Sequence, residues 1–193
     1  MKLRSILQTN IQWLTETIKL LPMAAKDYAT MKHVGQYRKF AGEAYVEHPK
    51  RVAEIVRKFK SSSRLDSLIK AALLHDTIED TNTTAHDLQM MYGGLVASLV
   101  KELTSDKAGI EKMGKADYLA HKMETMSSWA LVIKLADRLD NVSDLKVASK
   151  KFGDKYSRET RVILNSLRKK RKLSGIQLEI VKAIYKKVRE AGY

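Results

Sequence analysis

Residues 71–81 read AALLHDTIEDT, and this stretch decides how the rest of the chain is read. Ala71 to Leu74 is an apolar run of the kind that buries. Four groups able to bind a cation or move a proton follow it: His75, Asp76, Glu79 and Asp80. On a helix, residues three and four apart share a face. A helix over 71–81 would set His75 above Glu79, and Asp76 above both Glu79 and Asp80. Three carboxylates this close repel one another unless a cation joins them. The stretch therefore predicts the centre of a metal site, against the plainer alternative of a solvated acidic helix face.

Upstream, His48-Pro49 marks a helix start. The residue before a proline is pushed out of the helical region, and proline suits a first turn. That leaves the His48 ring free to point inward, although a histidine so placed is also an ordinary capping or surface residue. The segment 35–47, GQYRKFAGEAYVE, predicts a loop and carries Arg38 and Lys39, which on their own read as a solvated pair. Further upstream, helices are expected over 5–20 and over 22–34, the second starting at Pro22.

Downstream, Thr83 or Thr84 is a candidate cap for a helix from Ala85 that Gly93-Gly94 ends, and 95–103 forms another. Residues 105–118 contain glycine and lysine and predict a mobile loop. His86 and His121 read as surface residues. Residues 129–145, WALVIKLADRLDNVSDL, predict a strongly apolar helix with Asp137 inside its apolar set. A buried carboxylate is costly unless it meets a cation, so Asp137 is either an ion-pair partner or a metal ligand. Asn141 shares its face. Residues 155–190 predict two helices broken near Ser174-Gly175, and Arg168 to Lys172 are five successive cations.

Composition narrows the chemistry. The chain of 193 residues contains only nine glycines and two prolines, and its spacing is helical nearly throughout, so the fold class expected is all-α. Absence of cysteine excludes thiolate metal sites, disulfides and cysteine nucleophiles. A metal held by histidine and carboxylate fits Mn, Fe or Zn. No apolar run is long enough to span a bilayer, and no signal-peptide pattern opens the chain, so a cytoplasmic location is expected. The net charge of +14 favours an anionic partner, either nucleic acid or a highly phosphorylated small molecule.

Three segments together, HVGQYRKFAGEAYVEHP, ALLHDTIEDT and VIKLADRLDNVSDL, resemble in order and spacing the hydrolase domain of RelA/SpoT proteins, within the wider HD-domain phosphohydrolases. The likeness covers about residues 28–145, and the stand-alone small alarmone hydrolases are the most similar members. It implies one HD-domain helical bundle over 1–193, with flanking N- and C-terminal helices. It implies one Mn²⁺ held by His48, His75, Asp76 and Asp137. It also implies Glu79 and Asp80 as the catalytic pair that positions or activates water, and Arg38, Lys39 and Asn141 at the nucleoside. The implied reaction removes the 3′-pyrophosphate of guanosine tetra- or pentaphosphate, a small-molecule partner, with no membrane and no nucleic acid involved. Two positions depart from the family pattern. Ala44 stands where a proline is usual. Asp140 stands where an aromatic residue or histidine is frequent, and is expected to add negative charge near the substrate. The alternatives are an HD phosphohydrolase acting on another nucleotide, and a basic nucleic-acid-binding module with a structural metal. An antitoxin-like setting would use the same chemistry.

Overall fold

A computed structural model describes residues 23–193. The helix expected over 5–20, and Pro22, lie outside the described residues. Among the described residues the chain is helical, and the only extended pairing is a bridge between Tyr37 and Ala44. That bridge closes the expected 35–47 loop into a small hairpin.

The central element is α9, Ser128–Ser143. Its N-cap is Ser127, whose hydroxyl accepts from Ala130 N–H and whose own groups are held by Glu102. Leu131, Ile133, Leu135 and Val142 are fully buried, and α9 is buried on almost every side, Asp137, Arg138 and Asp140 included, because other helices surround it. Against it pack α2, Glu47–Phe59; α6, Gly94–Leu103; and α11, Gly175–Glu190. A second layer is α3, Leu65–Leu74, set between α2, α6 and α1, Ala25–Lys32. One cluster of buried side chains, from Ala25 to Val188, joins all of these.

Three expectations are corrected. First, 71–81 is not one helix: α3 ends at Leu74, and a four-residue helix α4, Thr77–Asp80, follows after His75 and Asp76. The periodicity runs through the break, but side chains capture the freed carbonyls. His75 Nδ1–H donates to Ala72 O (2.8 Å), and Thr77 Oγ1–H donates to Leu74 O (2.7 Å). Second, 105–118 is mostly helix. Asp106 caps α7, Lys107–Met113, accepting from Ala108 and Gly109 N–H. Gly114, at φ 78°, then turns the chain into α8, Lys115–Thr125. Third, α2 begins before the proline, at Glu47, so His48 is already helical. Pro49 stays within the first turn, where its missing N–H breaks no bond.

Most remaining boundaries match their signals, except that the helix expected from 155 begins at Lys150. Thr84 forms a capping box with Asp87 at the start of α5, Ala85–Tyr92, and Gly93 ends it at φ 87°. Ser149 caps α10, Lys150–Lys170, and Ser174 with Gln177 forms the capping box of α11. The cationic run 168–172 is partly internal to the fold. Arg171 Nη1 donates to the carbonyls of Met123, Glu124 and Met126, closing the C-terminal end of α8, and Lys170 pairs with Glu124 at 3.1 Å. Among the described residues no helix is long and apolar enough to cross a membrane.

Candidate active site

Three elements bring the site together. The first turn of α2 supplies His48, the α3–α4 break supplies His75 and Asp76, and the middle of α9 supplies Asp137. One ligand atom from each of His48, His75 and Asp137 lies within 4.8 Å of the others. His48 Nε2 is 3.3 Å from Asp137 Oδ1, and His75 Nε2 is 3.9 Å from the same oxygen. Asp76 Oδ2 flanks the group, 2.9 Å from His75 Nε2 and 3.7 Å from His48 Nε2. The helix break is what makes this possible, because it lets His75 and Asp76, adjacent in sequence, approach one point.

Both imidazoles are held from behind. His75 Nδ1 donates to Ala72 O, and His48 Nδ1 donates to Asp140 Oδ2 at 2.7 Å. Their Nε2 atoms therefore face the cluster. His75 Nε2 is buried with no aligned hydrogen-bond partner, an arrangement that costs about 1–3 kcal/mol when nothing fills it. An orphaned imidazole nitrogen, a second imidazole and two carboxylates converging without thiolate fit a divalent cation.

Electrostatics agree. Burial alone would raise the Asp137 carboxyl, but Lys134 and the two histidines hold it well below the usual carboxylate range. Lys134 Nζ sits 2.9 Å from Asp137 Oδ2. So Asp137 has both the lysine partner and the histidine cluster between which the sequence left a choice. Asp76 is likewise held low, against burial, mainly by His75. Burial would lower His48, yet its bonds to Asp137 and Asp140 outweigh this and carry it up to about 9. Without an ion, then, the buried carboxylates push both imidazoles toward their protonated form.

Asp80 and Glu79 line the cavity of about 170 Å³ that opens over the cluster, together with Lys115, Lys134 and Arg138. The two acids differ. Glu79 Oε2 accepts from Ser105 N–H at 2.8 Å, tying α4 to the 104–106 turn. Asp80 is raised by burial and by the charges of Asp76 and Glu79. Arg38, Lys39 and Asn141 line an adjoining cavity of about 260 Å³, walled by Phe40, Phe152 and Tyr156. Arg38 is no solvated surface residue: its side chain is 10 % exposed, and Nη2 donates to Asp144 (2.6 Å) and Asn141 Oδ1 (3.0 Å). Asn141 Nδ2 in turn donates to Asp137 Oδ1, linking the two cavities. Lys39 Nζ lies 5.5 Å from the Phe40 ring centre.

Sequence reasoning missed three residues. Tyr45 donates its hydroxyl to Asp76 Oδ2 at 2.6 Å and lines both cavities. Nothing local in the sequence marks it. Lys134 is three residues before Asp137 on one helix, a spacing that should have suggested the pair. His33 is buried, packs against Tyr45 with the rings tilted and their centres 4.8 Å apart, and shares a 2.8 Å hydrogen bond with Gln36, which reaches on to Asp80 O. Asp140 corrects a further expectation. It is 4 % exposed, lies behind His48 and pairs with Arg51, so its charge does not face the cavity.

The HD-domain family pattern matches residues 25–173. The guanosine-3′,5′-bis(diphosphate) 3′-pyrophosphohydrolase MESH1 of Xenopus tropicalis is 37% identical over 127 residues, 65% of this chain and 70% of that protein. The human MESH1 is 37% identical over 124 residues, 64% and 68% of the two chains. The solved structure of a metazoan SpoT ortholog that hydrolyses ppGpp superposes with a TM-score of 0.74 at 30% identity, covering 90% of this chain and 96% of that one.

Proposed function

The chain belongs to the HD-domain family, among the stand-alone relatives of SpoT, and from that membership we propose that it hydrolyses the 3′-pyrophosphate of guanosine tetra- and pentaphosphate to GDP or GTP and pyrophosphate. The observation that carries the reading is the convergence of His48, His75 and Asp137, with Asp76 beside them, under a cation-lined cavity joined to an aromatic one. One compartment suits phosphates and the other a nucleoside.

His48, His75, Asp76 and Asp137 would hold one divalent ion, and we assign it to manganese on the resemblance to the RelA/SpoT hydrolases, with which a set of nitrogen and hard oxygen is compatible. When bound, such an ion lowers the pKa of water and draws charge from phosphoryl oxygens. The phosphorus on the ribose 3′ oxygen is attacked by water, and its bond to that oxygen breaks. Asp80 is assigned the proton of the attacking water: it lines the cavity over the cluster, and burial with the charges of Asp76 and Glu79 makes its carboxylate more basic than a free one. Glu79, with one oxygen already committed to Ser105, holds the 104–106 turn at the cavity wall. Lys115, Lys134 and Arg138 face the phosphates with fixed positive charge. Arg38 and Asn141 flank the nucleoside, and Lys39 lies over the aromatic wall.

A single HD unit over the whole chain and a cytoplasmic location belong to the same proposal. The nucleic-acid alternative loses one cation of its basic run, because Arg171 is spent on the carbonyls that end α8. The test is pyrophosphate release from ppGpp with Mn²⁺, against a panel of other nucleotides. Asp80→Asn should lower kcat by about 10²–10⁴-fold. Preferential hydrolysis of another nucleotide would reassign the substrate, and unchanged turnover in the variant would remove Asp80 from the chemistry.

A further inference from the structure

His48 is gripped at both ring nitrogens by one helix. Asp137 and Asp140 lie three residues apart on α9, and the imidazole stands between them. Nε2 is 3.3 Å from Asp137 Oδ1, and Nδ1 is 2.7 Å from Asp140 Oδ2. Asp140 is in turn clamped by Arg51, which is three residues from His48 on α2. Arg51 Nε donates to Oδ1 at 2.7 Å and Nη2 to Oδ2 at 3.2 Å, while Nη2 also meets Glu43 Oε1 at 2.6 Å. The two helices are therefore cross-braced through one carboxylate.

We propose that Asp140, locked by Arg51, is a positioning residue that fixes the tautomer and orientation of His48 for metal binding. The inference rests on the metal site proposed above. A carboxylate paired with a guanidinium is ionised and can only accept, so once an ion displaces the proton from Nε2 the remaining imidazole proton is held on Nδ1. That leaves the Nε2 lone pair aimed at the cluster. Were Asp140 absent, Nδ1 would lose its buried partner, and the proton would be free to sit on Nε2, where it blocks coordination. His75 gets the same service from the Ala72 carbonyl, a backbone group no substitution removes. Asp140 is the side-chain counterpart, and its charge is balanced by Arg51 on the far side from the cavity. Removing carboxylates that orient a ligating histidine typically weakens metal binding by about 10–100-fold.

The test titrates Mn²⁺ calorimetrically into wild type, Asp140→Asn, Asp140→Ala and His48→Ala, and records the thermal midpoint of each metal-free protein. The proposal expects a rise in Kd of about 10–100-fold for the Asp140 variants, titrated well below their metal-free midpoints, which loss of the buried Arg51 and His48 partner lowers in both. Loss of affinity in His48→Ala but less than a twofold change in Asp140→Asn overturns this proposal alone. Full affinity in His48→Ala overturns the metal site and the proposal with it. A second measurement needs no variant: long-range ¹H–¹⁵N correlation on the Zn²⁺-loaded protein. A proton on His48 Nδ1 with a bare Nε2 supports the proposal, and the reverse assignment overturns it even should the variants fail to fold.

Discussion

Stripping divalent ions with a chelator and then raising the pH from 6 to 10 probes the electrostatic balance at the cluster directly. In the metal-free protein His48 titrates near 9 rather than at the ordinary 6.5. A group whose folded pKa is raised adds stability that is fully present below its unfolded pKa and disappears as pH climbs through the folded one. The window is therefore pH 6.5 to about 9. At about 1.36 kcal/mol per pH unit the loss is about 3 kcal/mol for this buried ring. His75, also raised, acts in the same direction. The lowered carboxyls of Asp76 and Asp137 are ionised throughout and contribute no slope here. With a denaturant slope of roughly 2 kcal/mol/M, the urea midpoint should fall by about 1.5 M across the window. His48→Gln should flatten most of that fall. Manganese affinity should move the other way, rising with pH, because the ion displaces the same protons. A metal-free midpoint that stays level or climbs between pH 6.5 and 9 would refute the reasoning.

Two further outcomes are expected. Tyr45→Phe removes the hydroxyl that donates to Asp76, and should cost about 1.5–3 kcal/mol, the usual worth of a hydrogen bond to a charged group; an unchanged urea midpoint contradicts that pairing. Gly153→Ala would press its methyl into the Tyr193 ring, so despite the roughly 1 kcal/mol that alanine gains over glycine in a helix it should destabilise. The sign should reverse in a Tyr193→Ala background, and a double-mutant cycle showing simple additivity would contradict the overlap.

Much of the architecture was legible because its signals are local. Thr84 stands at one of the two cap positions named for α5, Ser174 caps α11 at the break its Ser-Gly pair suggests, and Gly93 ends α5 where a left-handed residue is needed. The α3–α4 break was not legible, since apolar spacing continues across it and only side-chain bonds from His75 and Thr77 reveal it. Helix α7 had its cap at Asp106, but glycine content outweighed that single signal. At the site, residue types and spacing nominated His75, Asp76 and Asp137. The partners of Asp140 did not follow, because Arg51 is 89 residues away in the chain and is brought near only by the packing of α2 on α9.

The placement of α11 has a practical corollary for anyone trimming the gene. The recognisable motifs finish near residue 145, yet Ile180, Val181, Ile184 and Val188 cover the flank of the very rod that carries Asp137. A fragment cut at the motif boundary would keep every proposed ligand and lose the lid on their support, leaving greasy surface open to neighbouring molecules. The last helix is thus as much a part of the ion's cradle as the residues that would touch it.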